Sequence, residues 1–271
     1  MLAVTRRNKI RSIVLEKKSV TIGELSKQFS VTEETIRRDL KSLEDEGVLT
    51  RTYGGAYVDK GVRSDLNLSI RESLFVENKR RMAKEAAELV KNGDSIFLDC
   101  STTALQLCEY IADMRITVLT NSLKVTMWLM EKENIQLILV GGLLSSDSLG
   151  FFSQATYQSL QSYYVDKAFI SCRSLHMEFG MSDPTESQAE IRKLVMERAG
   201  NVYIMADHTK LDRVSFIKIG DLDHVDVIIT DTVLSPEWQD FCKKKQIRMI
   251  ECPAVGGENQ KAEPSDVIKS P

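Results

Sequence analysis

Thr32-Glu33-Glu34-Thr35-Ile36-Arg37-Arg38-Asp39-Leu40-Lys41-Ser42-Leu43-Glu44-Asp45-Glu46-Gly47 has a helix start, an apolar stripe and a helix stop. Thr32 is of the residue type that caps an N-terminus, Ile36, Leu40 and Leu43 recur at three- and four-residue spacing, and Gly47 ends the run. With those apolar side chains turned to a core, Thr32, Glu33, Thr35, Arg37 and Arg38 lie on the outward or flanking surface of the first two turns. Arginine suits guanine O6/N7 or a bidentate phosphate contact, and threonine reaches a base edge or a phosphate oxygen. The pattern predicts a helix that meets DNA with both arginines.

The flanking sequence fits that role. Upstream, Thr21 with Glu24 three residues later is a capping-box signature, and Ile22, Leu25 and Phe29 give the apolar face of a short helix. Ser30-Val31 then turns the chain, which makes a helix-turn-helix. Further back, Ile10, Ile13 and Val14 space a first amphipathic helix over residues 6–17, and Ser19-Val20 interrupts it. Downstream, residues 48–58 place two β-prone runs around Gly54-Gly55, a hairpin wing whose Arg51 and Tyr53 would meet the DNA backbone or minor groove. Residues 1–58 carry a net charge of +3 and the remainder −6, an asymmetry expected of a nucleic-acid-facing end. A small helical domain that binds protein is the competing reading.

Composition bounds the rest. At about 150 residues per domain, 271 residues suggest two domains, and 42% hydrophobic with 28% charged residues describe a globular chain. No apolar run reaches the roughly 18 residues of a membrane span, and no apolar segment follows the basic N-terminal residues, which predicts a cytoplasmic protein without membrane contact. Five cysteines without a C-x-x-C pair, and only His176, His208 and His224, offer little for disulfides, a metal or a cofactor; none is expected. Cys100 and Cys172 fall at strand ends, where a redox role competes with simple burial.

Residues 59–78 lack a strong period and read as a linker with a short helix around Leu68 to Phe75. From Lys79 a helix to about residue 91 leads into apolar runs at 95–99, 116–119, 135–140, 167–170, 202–205 and 225–229, with helical stretches between most of them. Near-continuous apolar strands alternating with helices predict a Rossmann-like α/β domain with a parallel sheet. Ligands bind such sheets beyond the carboxyl ends of the strands. Polar residues collect there: Asp99 and Ser101-Thr102-Thr103, Thr120-Asn121-Ser122, Gly141-Gly142, Ser171-Cys172, then Asp207 and Lys210. Hydroxyls and backbone N–H groups at a helix start cradle a phosphate, Lys210 adds a cation, and Asp99 and Asp207 accept from sugar hydroxyls. Read singly, the hydroxyls are caps, the glycines a turn and the lysine a solvated charge. The absence of G-x-G-x-x-G and G-x-x-x-x-G-K-[ST] disfavours a dinucleotide or a nucleoside triphosphate. Trp128 and Trp238 are expected to pack helices on the sheet, and the Gly/Pro/charge-rich residues 253–271 to form a disordered tail.

Thr32 through Leu40, with Leu43, Gly47 and Tyr53-Gly54-Gly55-Ala56, resembles the DeoR-type winged helix-turn-helix. The strand-end residues, with Asp166-Lys167-Ala168-Phe169 and Ile229-Thr230-Asp231, resemble the effector domain of that family, whose fold is similar to ribose-5-phosphate and glucosamine-phosphate isomerases. The resemblance covers residues 5–251. It implies a winged domain at 1–58 and a sensor domain at 79–252. It also implies a homo-oligomer, dimer or tetramer, on double-stranded operator DNA, usually repressing a carbohydrate operon, with a phosphorylated sugar as effector and no catalysis. Ser101 stands where the family commonly has glycine, and Ser171-Cys172-Arg173-Ser174-Leu175 replaces a glycine-bearing loop. Arg173 there is a phosphate ligand, a specificity residue or a packed side chain. An activator with the same parts is an alternative. So is an isomerase-like enzyme using Asp99, Asp207 or Glu186.

Overall fold

A computed structural model describes residues 1–17, 19–46, 48–58 and 68–254. Three helices open the chain: α1 (Ala3–Lys17), α2 (Ile22–Phe29) and α3 (Glu33–Asp45), with strand β1 (Ser19–Thr21) between the first two. Strands β2 (Thr50–Arg51) and β3 (Gly55–Tyr57) form the wing. Thr21 and Glu24 make the expected reciprocal cap, and Thr32 accepts the Thr35 N–H to start α3. Ile10, Val14, Ile22, Leu25, Ile36, Leu40 and Leu43 close into one core. α1 starts at Ala3, earlier than residue 6, and Ser19–Thr21 is a strand of the wing sheet, whose order is β1-β3-β2. Two strands come so near that a Cβ on Gly55 would lie 2.1 Å from the Val20 carbonyl oxygen. Only glycine fits there. The Gly47 stop and residues 59–67 of the expected linker lie outside the described residues.

Two helices, α4 (Leu68–Ser73) and α5 (Val76–Ala87), occupy the described end of that linker and the start of the second domain. α5 begins at Val76 and ends at Ala87, where residues 79–91 were expected. The Leu89 and Val90 N–H groups bond to carbonyls three residues back, which tightens the chain into a turn before Gly93. The order then runs β4 (Ser95–Leu98), α6 (Thr102–Ile111), β5 (Ile116–Thr120), α7 (Leu123–Leu129), β6 (Ile135–Leu139), α8 (Gln154–Leu160) and β7 (Val165–Ile170). It continues with β8 (Ser174–His176), β9 (Gly180–Asp183), α9 (Glu186–Glu197), β10 (Ala199–Met205), β11 (Ile217–Gly220), β12 (Val227–Thr230), α10 (Pro236–Lys245) and β13 (Arg248–Glu251).

Seven strands form the expected sheet in the order β13-β12-β10-β7-β4-β5-β6, and its neighbours pair in parallel. Apolar residues on both faces make two separate cores. This is why the strands read as unbroken apolar runs. β13 and a small antiparallel sheet, β11-β9-β8, were not among the expected strands. Trp238 is fully buried and its indole N–H donates to Asp212 at 2.9 Å. Trp128 departs from expectation: it is 39% exposed beneath the Lys132 ammonium, because α7 presents that face outward. Residues 255–271, most of the expected tail, lie outside the described residues.

Candidate functional site

The first face is α3 with the wing. Ile36, Leu40 and Leu43 are buried, so the opposite side of α3 is turned outward. A 2.5 Å bond from Arg6 Nε to Asp39 Oδ2 fixes α1 to α3 beneath that face, both side chains being buried. Thr32 and Glu33 are exposed and Thr35 half-buried. The Arg38 side chain is 80% exposed, with a loose Glu34 neighbour at 3.5 Å. Arg37 Nη1 donates to the Tyr53 carbonyl at 3.0 Å, and its guanidinium lies 5.8 Å from the Tyr53 ring centroid. Arg37 therefore braces the wing against α3, while the Tyr53 ring projects, 87% exposed. Arg51 is held by Glu44, which accepts its side chain at 2.6 Å and its backbone N–H at 2.8 Å.

The second face is a pocket of about 710 Å³, part of it open to solvent, at the carboxyl ends of β4, β7 and β10. Ser101 and Thr102 from the start of α6, with Arg173, Asp207 and Lys210, line it, so five of the expected effector residues meet there. Ser101 caps α6 by accepting the Ala104 N–H at 3.0 Å. Thr103 lies one residue further in, fully buried, and its hydroxyl has no hydrogen-bond partner. Lys210 donates to the Ser171 hydroxyl at 2.6 Å, and Asp207 accepts the Thr209 N–H at 3.0 Å.

Asp99 is buried and does not line the pocket; it accepts the N–H groups of Ser101 and Ser171 and the Nε of Arg192 at 3.0 to 3.1 Å. Thr120 bonds to the Leu98 carbonyl and the Ser122 N–H, Asn121 to the Phe151 carbonyl, and Ser122 caps α7. Gly141 and Gly142 are exposed; Gly142, at φ 151°, leaves room for Ser153 and Thr156. None of these last five residues lines the pocket.

Sequence reading missed Lys79, Asp183 and Arg192, which all line it. Arg192 bridges Asp99 and Asp183 with all three side chains buried. Burial opposes its charge, yet the two carboxylates hold its pKa above the ordinary value, while burial pushes Asp183 upward. Such a triad consumes its own cation, so a ligand's charge must be met by other groups. Lys79 is 4% exposed; burial, with Lys210 and Arg71 nearby, pushes its pKa down to about 7. Near the same corner His208 Nδ1 is 2.8 Å from Asp231 Oδ2, and Phe75 meets the His208 ring edge-on. Burial raises Cys100 to about 11 and Cys172 to about 12, which favours inert thiols over reactive thiolates at neutral pH.

Comparison with known proteins gives two family matches: the DeoR-like helix-turn-helix domain over residues 6–62 and the DeoR C terminal sensor domain over 75–232. The uncharacterized HTH-type transcriptional regulator YulB of Bacillus subtilis (strain 168) is 41% identical over 253 residues, 93% of this chain and 98% of that protein. The putative aga operon transcriptional repressor of Escherichia coli O157:H7 is 30% identical, over 90% of this chain and 92% of that one. Among solved structures, ribose 5-phosphate isomerase A from Methanocaldococcus jannaschii aligns at 22% identity with a TM-score of 0.37, covering 49% of this chain and 53% of that chain.

Proposed function

Because the chain belongs to the DeoR family of DNA-binding transcriptional regulators, we propose that it represses a carbohydrate catabolic operon and leaves its operator when a phosphorylated sugar fills the pocket. The observation that carries this reading is one pocket in which Lys79, Lys210, Arg173 and the capped start of α6 converge, beside a domain built to meet DNA. Cationic side chains and helix-start N–H groups suit a phosphate, and Asp207 suits sugar hydroxyls. In this reading Arg38 and Thr32 contact operator DNA directly, and Tyr53 and Arg51 follow the backbone beside it. Residues 1–58 are the reader and the chain from α5 to residue 252 the sensor.

The relatives are regulators, which supports a non-catalytic pocket. The protein then works in the cytoplasm, where operator DNA lies; no helix among the described residues is long and apolar enough to cross a membrane. Exposed Met127, Met130 and Leu143, near the β6 edge of the sheet, support self-association into a dimer or tetramer that spans two half-sites.

The test is fluorescence anisotropy on DNA from upstream of the protein's own and adjacent genes, at fixed salt, titrated with sugar phosphates and their unphosphorylated counterparts. Release by one phosphorylated sugar is expected. Tighter binding with that ligand would instead describe a co-repressor or activator mode. Absence of sequence-specific binding under every condition would overturn the reading.

A further inference from the structure

α7 buries one side and leaves the other apolar as well. Val125 and Leu129 are buried in the core beneath it, while Met127 and Met130, three residues apart on the opposite side, are 64% and 65% exposed. A second apolar group abuts the start of that helix. After β6 the chain folds into a small hairpin in which Leu144 bridges Phe151, and the Leu123 N–H at the head of α7 donates to the Leu149 carbonyl at 2.9 Å. Leu143 and Leu144 on that hairpin are 73% and 42% exposed. These four side chains present on the order of 500 Å² of apolar surface, over half of the roughly 800 Å² that each partner gives a stable interface.

The charges around this surface are placed for a second copy of the chain. Lys124 stands three residues before Met127 and Glu131 four residues after it, both turned away from Val125 and Leu129. A two-fold axis through Met127 sets one α7 against the other head to tail. Met127 then meets its own copy, so no like charges lie on the axis, and Lys124 comes beside Glu131 of the partner subunit. Leu143 and Leu144, beside the start of one helix, reach toward the end of the other, where Met130 stands.

We propose that this face, α7 with the hairpin after β6, is where two copies of the chain pair about a two-fold axis. The proposal rests on the self-association set out above and assigns it a surface and a symmetry. Its consequence for DNA runs through α4. Glu72 of α4 pairs with Lys124, and α4 packs against β1 and β3 of the wing sheet. The helix that meets the partner therefore also holds the support of the wing. Pairing there fixes the spacing of the two α3 helices, as two half-sites require.

Sedimentation equilibrium of the full chain tests this. Met127→Glu and Met127→Lys each place like charges on the axis and should weaken pairing about tenfold or more. The mass of the assembly then halves at concentrations where the natural protein holds together. Mixed in equal amounts, the two variants should recover the natural mass, since opposite charges now meet on the axis. Glu131→Lys should weaken pairing too, by facing Lys124, and serves if a Met127 variant does not fold. Val233→Glu, at an apolar side chain 60% exposed beyond β12, should change nothing. Undiminished association of the Met127 and Glu131 variants would sink this face and leave self-association standing. Weakening without recovery in the mixture would refute the two-fold arrangement. A natural protein that stays monomeric at every concentration would overturn both.

Discussion

Arg192 shows how a buried charge serves architecture. Its guanidinium lies between Asp99 and Asp183, and Asp99 in turn accepts two backbone N–H groups, so the triad fixes the mouths of β4, β7 and β9 relative to α9. Nothing in the local sequence announces this, because Arg192 lies in an ordinary amphipathic helix 93 residues from Asp99. Lys79 was hidden in the same way: beside Arg80 and Arg81 it reads as one of a run of solvated charges. His208 and Asp231 permit a prediction at this scale. The hydrogen bond to Asp231 raises the His208 pKa; burial works against the Asp231 carboxylate, but hydrogen bonds from His208 and Asn78 outweigh it and hold that pKa down. The histidine's stabilisation is therefore complete below its unfolded pKa of about 6.5 and is lost as pH rises through the higher folded value. The carboxylate's share is present above about pH 4 and is lost on acidification below it. Melting temperature should fall more steeply between pH 6 and 8 in the natural protein than in His208→Gln; parallel curves would refute the coupling.

Among the elements, the amphipathic ones were the most legible. α2 and α3 each carry a cap and an apolar stripe within one short window, and both appear where those signals place them. β1 was not legible, since three residues cannot show a period and their partner strand lies 36 residues away. The strands β8, β9 and β11 are short and pair across long separations, which leaves the same blank. The structure also separates two arginines that sequence had treated alike. Arg38→Ala should weaken operator binding, by about 1–3 kcal/mol for a base contact or with about one unit less salt slope for a phosphate, and leave thermal stability unchanged. Arg37→Ala should additionally loosen the wing, detectable as faster amide exchange at Gly54 and Gly55. Equal effects of the two substitutions on exchange would refute the bracing role of Arg37.

For the whole molecule, the site was legible in part. The rule that ligands meet a parallel sheet beyond its strand ends nominated Ser101, Thr102, Arg173, Asp207 and Lys210, which line one pocket, the candidate site. It also nominated the ends of β5 and β6, whose polar groups finish caps and turns and do not line that pocket. The wall contributed by β3 could not be foreseen, because no sequence rule brings the two domains together. On the proposed reading, an effector held in a pocket that both domains border makes effector and operator affinities mutually dependent. If ligand weakens operator binding by a factor within about 5- to 150-fold, operator DNA must weaken ligand binding by that same factor. Calorimetry of the sugar phosphate with and without operator checks this, and unequal factors would show that a further equilibrium, such as assembly, intervenes.

The position of Tyr57 also bears on how such proteins can be recombined. A chimera joined just after residue 58 exchanges the winged domain and, with it, Tyr57, which lines the candidate effector pocket. If that pocket holds the effector, as proposed, operator choice and effector choice are inherited together at that boundary, and a swap intended to re-address the regulator also edits what it senses.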